Sequence, residues 1–129
     1  MVVLEELRAA RSNCRLQVFA SDVDVEALEA ARSGVYPETI AADVSAERLS
    51  QFFTKSEHQF QVKKELRDVV IFARQNLIAD PPFSKLDVIS CRNLLIYLEP
   101  ASQDRLLSLL HFALGEGGYL FLGSAEGIG

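Results

Sequence analysis

Residues 85–97 read Lys85-Leu86-Asp87-Val88-Ile89-Ser90-Cys91-Arg92-Asn93-Leu94-Leu95-Ile96-Tyr97, and this stretch constrains the fold most. Its first half, 86–90, is short, apolar and β-branched, and it follows the breaker Asp80-Pro81-Pro82-Phe83. Such a run predicts a strand covered on both faces, as in a parallel sheet. A thiol, a guanidinium and a carboxamide then follow at once. Open α/β sheets bind ligands just beyond the carboxyl ends of their strands. Arg92 and Asn93 fall there, with Tyr97 one turn further on.

At 129 residues, 49% of them hydrophobic, the chain can bury one core but not two large ones. A net charge of −5 argues against a nucleic-acid partner, which would call for a basic face. Cys14 and Cys91 form no CxxC pattern, so the chain reads as cytoplasmic with reduced thiols. No apolar run reaches membrane-spanning length, and Met1-Val2-Val3-Leu4 meets Glu5-Glu6 too soon for a signal peptide.

Taken in order, residues 2–11 predict an uncapped helix and 15–20 a strand. Ser21-Asp22-Val23-Asp24 comes next. Asp24 is placed to cap a helix over 25–33, and Gly34 suits the left-handed position after it. Residues 36–66 change texture. Ser45 can cap a short helix over 46–53, and Gln59-Phe60-Gln61-Val62 alternates like an exposed strand, so a small inserted β-subdomain is expected. Residues 66–73 and 119–122 predict two further buried strands. Between them, Pro100 opens a helix that Gly115-Glu116-Gly117-Gly118 should stop. The order α-β-α-(insert)-β-β-α-β predicts an α/β fold on a mostly parallel sheet.

Three strand ends then carry polar groups: Asp22, Asn76 and the Arg92–Asn93 pair. Right-handed crossovers bring such ends to one rim. A carboxylate there suits a ribose diol, and amides suit an adenine edge, so the spacing fits a nucleoside-containing cofactor. Plainer roles stand beside these. Asp22 could cap the helix in place of Asp24, and Asn76 could form a turn. Arg92 could pair with Asp87 or Glu99, and Tyr97 could be a core aromatic with a wet hydroxyl. Cys91 reads as a small buried hydrophobe. His58 and His111 are too isolated for metal ligands, and no phosphate-loop motif is present.

The runs Ser21-Asp22-Val23-Asp24, Ala31-Arg32-Ser33-Gly34-Val35-Tyr36 and Cys91-Arg92-Asn93-Leu94-Leu95-Ile96-Tyr97 together resemble the chemotaxis-receptor methyltransferases of the CheR type. So do Asn76-Leu77 and Gly117-Gly118-Tyr119-Leu120-Phe121. The resemblance covers nearly all of residues 3–126. It implies a partial class I, Rossmann-like methyltransferase domain over 1–129, with a small subdomain at about 36–66. It also implies methyl transfer from S-adenosylmethionine, leaving S-adenosylhomocysteine, to glutamate side chains of a methyl-accepting chemotaxis receptor. Carried over, Asp22 matches the ribose-binding acid and Asn76 with Leu77 the adenine-lining pair. Arg92 and Asn93 match the cofactor-contacting pair, and Tyr97 the tyrosine beside the reactive methyl. A catalytically silent docking or regulatory module derived from the same family is the alternative. The wording around Asp80-Pro81-Pro82-Phe83 is similar to versions fused to methylesterase and sensor domains.

The family's leading helical domain, first strand, glycine- and glutamate-containing loop and last strands have no counterpart in these 129 residues. By the resemblance, about half of a complete cofactor site is therefore not in this stretch. The strands at 15–20 and 86–90 would lose a shared neighbour, and open edges between apolar faces are costly. Either these two strands pair directly or they pair across a homodimer. The 55–59 loop, Lys55-Ser56-Glu57-His58-Gln59, lacks the glycine of receptor-tail-binding members, which argues against tail docking.

Overall fold

The computed structural model describes residues 1–76, 83–124 and 126. The chain divides into two compact units, Met1–Gln75 and Asn76–Gly129. Parallel strand pairs flanked by helices make it a mixed α/β chain, compatible with a partial Rossmann-like methyltransferase fold.

In the first unit α1 (Val2–Ala9) starts at Met1 without a side-chain cap. It ends two residues before the expected stop, and Arg11 turns into the left-handed region at φ 52°. β1 (Val18–Asp22) begins later than expected and takes in Ser21 and Asp22. α2 (Val25–Ser33) is capped by Asp24, whose Oδ1 accepts from Glu26 N at 3.0 Å and Ala27 N at 3.2 Å. Gly34 closes it at φ 67°, where a Cβ would sit 3.1 Å from Val62 Cβ.

β2 (Val35–Pro37), a 3-10 turn, α3 (Ala46–Phe52), β3 (Phe53–Ser56) and β4 (Gln59–Val62) follow. The three strands form an antiparallel sheet in the order β2-β4-β3. Ser45 Oγ caps α3 by accepting from Arg48 N. The rings of Tyr36 and Phe60 both meet Phe53 edge-on at 6.3 Å.

The strand expected over 66–73 is split. Its first residues belong to the short α4 (Lys64–Arg67), because the N–H groups of Leu66 and Arg67 turn back onto the Lys63 carbonyl. β5 (Val70–Arg74) then runs parallel to β1, from Val18↔Val70 to Asp22↔Arg74. That register explains the late start of β1. Leu28, Phe52 and Phe53 are the buried hydrophobic side chains of this unit, and Gln75 is a buried polar one.

The second unit contains β6 (Leu86–Cys91), a 3-10 turn over Leu95–Tyr97, α5 (Pro100–Ala113) and β7 (Leu114–Leu122). Proline opens α5, where its missing N–H costs nothing. β7 follows α5 directly, so the glycines do not form the expected stop. They make an irregularity within β7: Leu86 pairs with Leu114, but Val88 pairs with Tyr119. Gly117 has φ 76°, and a Cβ on Gly118 would lie 2.9 Å from Leu114 Cδ2.

Leu106, Leu110, Cys91 and Leu95 form the core here. Full burial of each leucine contributes about 1.5–3 kcal/mol. The prediction that β6 is covered on both faces fails. Alternation turns Ile89 toward the leucine core and leaves Val88 63% exposed. Tyr119 and Phe121 of β7 are likewise exposed. Among the described residues β1 takes β5 as its ladder partner and β6 takes β7.

Candidate cofactor site

Asp22 is the last residue of β1, in register with Arg74. Gln75 N donates to its main-chain oxygen at 2.9 Å, which carries the parallel ladder one step past β5. Its carboxylate Oδ1 accepts from Asp24 N at 3.0 Å and tightens the turn into α2. The helix cap belongs to Asp24, so the capping role considered for Asp22 is not the one it takes. Asp22 is exposed, and its second carboxylate oxygen accepts no hydrogen bond among the described residues. It is therefore an ionisable acceptor with spare capacity at a strand end. Asn76, also exposed, follows Gln75 in the chain. Leu77 lies outside the described residues.

At the carboxyl end of β6 the chain is pinned on both sides of its polar pair. Cys91 and Leu95 are buried in the leucine core, and Arg92 and Asn93 between them are exposed. Asn93 adopts φ 60°, a left-handed conformation that asparagine tolerates better than most residues. Arg92 makes no ion pair with Asp87 or Glu99 among the described residues. Its guanidinium carbon lies 5.9 Å from the centroid of the Phe121 ring. Tyr97 is 79% exposed, which removes the reading of it as a core aromatic.

Two side chains that sequence reasoning did not single out shape this loop. Glu126 Oε1 accepts from Asn93 N at 2.7 Å and Gly123 N at 2.9 Å. Its Oε2 accepts from Leu94 N at 3.1 Å and Leu95 N at 2.7 Å. From the other side, Gln103 Nε2 donates to the Leu95 and Leu98 carbonyls at 2.8 and 3.1 Å. Partial desolvation pushes the Glu126 pKa up, but the bonds from Gly123, Asn93, Leu95 and Leu94 outweigh it and hold the carboxyl below its ordinary value. The Cys91 thiol is raised, first by its own burial and then by the Glu126 charge. It is a protonated, buried thiol at neutral pH, as a small hydrophobe would be. No local pattern announces either side chain. Gln103 is one turn into an ordinary helix, and Glu126 lies 31 residues from Leu95.

The arrangement supplies an acceptor at the end of β1, and a cation, a carboxamide and a phenol at the end of β6. None of these groups is consumed by an ion pair among the described residues.

Residues 1–129 match the family described as CheR methyltransferase, SAM binding domain. A protein of Rhodobacter capsulatus named as an uncharacterized 104.1 kDa protein in the hypE 3'region is 45% identical over 113 residues, 88% of this chain and 12% of that one. A putative methyltransferase, Cher3, of Pseudomonas putida is 39% identical over 79 residues, 61% of this chain and 29% of its own length. A chemotaxis protein methyltransferase of Vibrio parahaemolyticus is 34% identical over 82 residues, 63% of this chain and 30% of its own length. The chain thus spans less than a third of the length of each of these relatives. The match over its whole length places it in the CheR methyltransferase family, as a SAM-binding domain.

Proposed function

We propose that this chain is the S-adenosylmethionine-holding part of a protein-glutamate O-methyltransferase that acts on chemoreceptors in the cytoplasm. The observation that carries the reading is the loop after β6. Arg92, Asn93 and Tyr97 are exposed on a turn fixed by buried neighbours, in a chain of this family.

The roles follow from donor chemistry. Asp22 offers two carboxylate oxygens to the ribose diol. Asn76, with Leu77, lines the adenine, and Arg92 and Asn93 contact the rest of the cofactor. When bound, S-adenosylmethionine supplies an electrophilic methyl on a sulfonium sulfur. The acceptor glutamate is already ionised near neutral pH, with an ordinary pKa of about 4.3, so the protein needs no strong base. Its task is to hold the carboxylate oxygen in line with the methyl, a proximity effect. Tyr97 serves this as the catalytic side chain. Its hydroxyl orients the carboxylate, or its ring faces the sulfonium for about 0.5–2 kcal/mol of cation–π attraction. Among the described residues no helix is long and apolar enough to cross a membrane.

β1–β5 and β6–β7 are two-stranded ladders, and two strands alone are marginal. Strand pairing in a homodimer is part of this proposal, and a sedimentation experiment that finds only monomer would remove it.

Calorimetric titration with S-adenosylhomocysteine tests the cofactor reading. Saturable binding that Asp22→Ala abolishes is the expected result. Absence of binding by the unaltered chain would favour the silent docking module.

A further inference from the structure

We propose that Glu126 is a positioning residue for the cofactor site: its carboxylate fixes the loop after β6 in the shape that presents Arg92, Asn93 and Tyr97. The inference rests on the cofactor reading given above for its functional half, and on geometry alone for its structural half.

Four backbone N–H groups converge on one carboxylate, two on each oxygen. Three of them belong to consecutive residues, Asn93, Leu94 and Leu95, and the fourth to Gly123 just past β7. The carboxylate therefore ties the ends of β6 and β7 together at the point where the polar pair emerges. Asn93 would otherwise leave the left-handed region, which is unfavourable for a residue with a Cβ. The approach at Gly123 is close, so a side chain there would push on the clamp itself. A Cβ there would lie 2.8 Å from Glu126 Oε1 and 3.1 Å from Asn93 Oδ1. These bonds consume the acceptor capacity of Glu126, so it is not itself free to take a ligand. It acts through the loop.

The charge is needed as well as the shape. A glutamine keeps one acceptor oxygen but turns an NH2 group toward two backbone donors, so about half of the cradle becomes donor against donor. The neighbouring titratable group is Cys91 at the end of β6. Its thiol stays protonated near neutral pH, so it adds no charge change of its own when Glu126 is acidified.

The test compares the unaltered chain, Glu126→Gln and Phe52→Ala, the last being a core truncation in the first unit, outside the leucine core that anchors the loop. Amide NMR reads the clamp without any ligand. In the unaltered chain the Asn93, Leu94, Leu95 and Gly123 amides should shift together on acidification, with a midpoint below the ordinary glutamate value. In Glu126→Gln that titration should vanish and the four signals should move upfield. Titration with S-adenosylhomocysteine reads the function. Glu126→Gln should weaken binding at least tenfold, whereas Phe52→Ala should stay within about twofold despite its lower stability. Unchanged amide signals in Glu126→Gln would overturn the clamp. Unchanged affinity in Glu126→Gln, with the unaltered chain binding, would overturn the positioning role and leave the cofactor reading intact. Absence of binding by the unaltered chain would overturn the cofactor reading and the positioning role with it, and the amides would still decide the clamp.

Discussion

The end of β1 and the end of β6 each present a polar group beside a parallel ladder, but the two are held by different means. Asp22 is fixed by what lies next to it: its Oδ1 takes the Asp24 N–H, and Asp24 caps α2 within the following three residues. The loop after β6 is fixed from afar. Gln103 holds its carbonyls, Glu126 holds its N–H groups, and Cys91 and Leu95 anchor it in a leucine core. At the first strand end the side chain is thus set by its neighbours in sequence, although the backbone beneath it pairs with β5. The other depends on a helix and a second strand being in place. Damage should spread accordingly: loss of core packing should disturb the β6 loop far more than loss of a turn disturbs Asp22.

The largest expected effect is on the core beneath the loop. Leu106 is fully buried, and Leu106→Ala should cost about 2–5 kcal/mol by lost burial and cavity formation. Urea unfolding followed by the Leu95 amide would read it. A loss below about 1 kcal/mol would mean that the leucine core does not support the loop. Next comes Gln103→Ala, which strips the Leu95 and Leu98 carbonyls of a shared donor and should cost about 1–3 kcal/mol. Faster hydrogen exchange confined to residues 94–98 is the expected signature. Exchange that changes only in α5 would argue against a clamp on the loop.

On the local side, Asp24→Ala should cost about 1 kcal/mol, the usual loss for an N-cap. Circular dichroism during thermal unfolding would report it, and an unchanged midpoint would mean that the cap is redundant. Asp22→Ala should be the mildest change in stability, within about 0.5 kcal/mol, because the side chain is exposed and makes one turn bond. If it destabilised the chain as much as Asp24→Ala, its carboxylate would be structural and unavailable to a ligand.

Acid separates the two ends as well. Glu126 has a native pKa below its ordinary value, so its contribution to stability is present above that ordinary value, about 4.3. The contribution is lost as the pH falls through the depressed native value. Unfolding of the second unit should therefore become easier at low pH, and Glu126→Gln should remove that part of the dependence.

This division also explains what the sequence discloses. The cap at Asp24, the left-handed glycine at 34, the Ser45 cap and the Pro100 start are short-range signals, and each appears in the structure where its residues predict it. Strand limits were less legible. β1 starts at Val18 because its register is set by Val70–Arg74, some fifty residues away, and no pattern within residues 15–20 carries that information. Leu66 precedes the apolar run 69–72 closely enough to read as part of one strand, but the Lys63 carbonyl captures Leu66 and Arg67 as helix. At the candidate site, Asp22, Arg92, Asn93 and Tyr97 were visible as polar groups where strands end. Glu126 and Gln103 were not, because backbone hydrogen bonds to a distant side chain leave no mark on sequence spacing.

The proposed cofactor role requires both strand ends to respond to one nucleoside. Amide NMR during a titration with S-adenosylhomocysteine tests it most directly. Residues 22–25 and 92–95 should shift along one binding curve with one shared Kd, and Asp22→Ala should weaken the response at both. Shifts at only one of the two ends, or two curves with different midpoints, would contradict it.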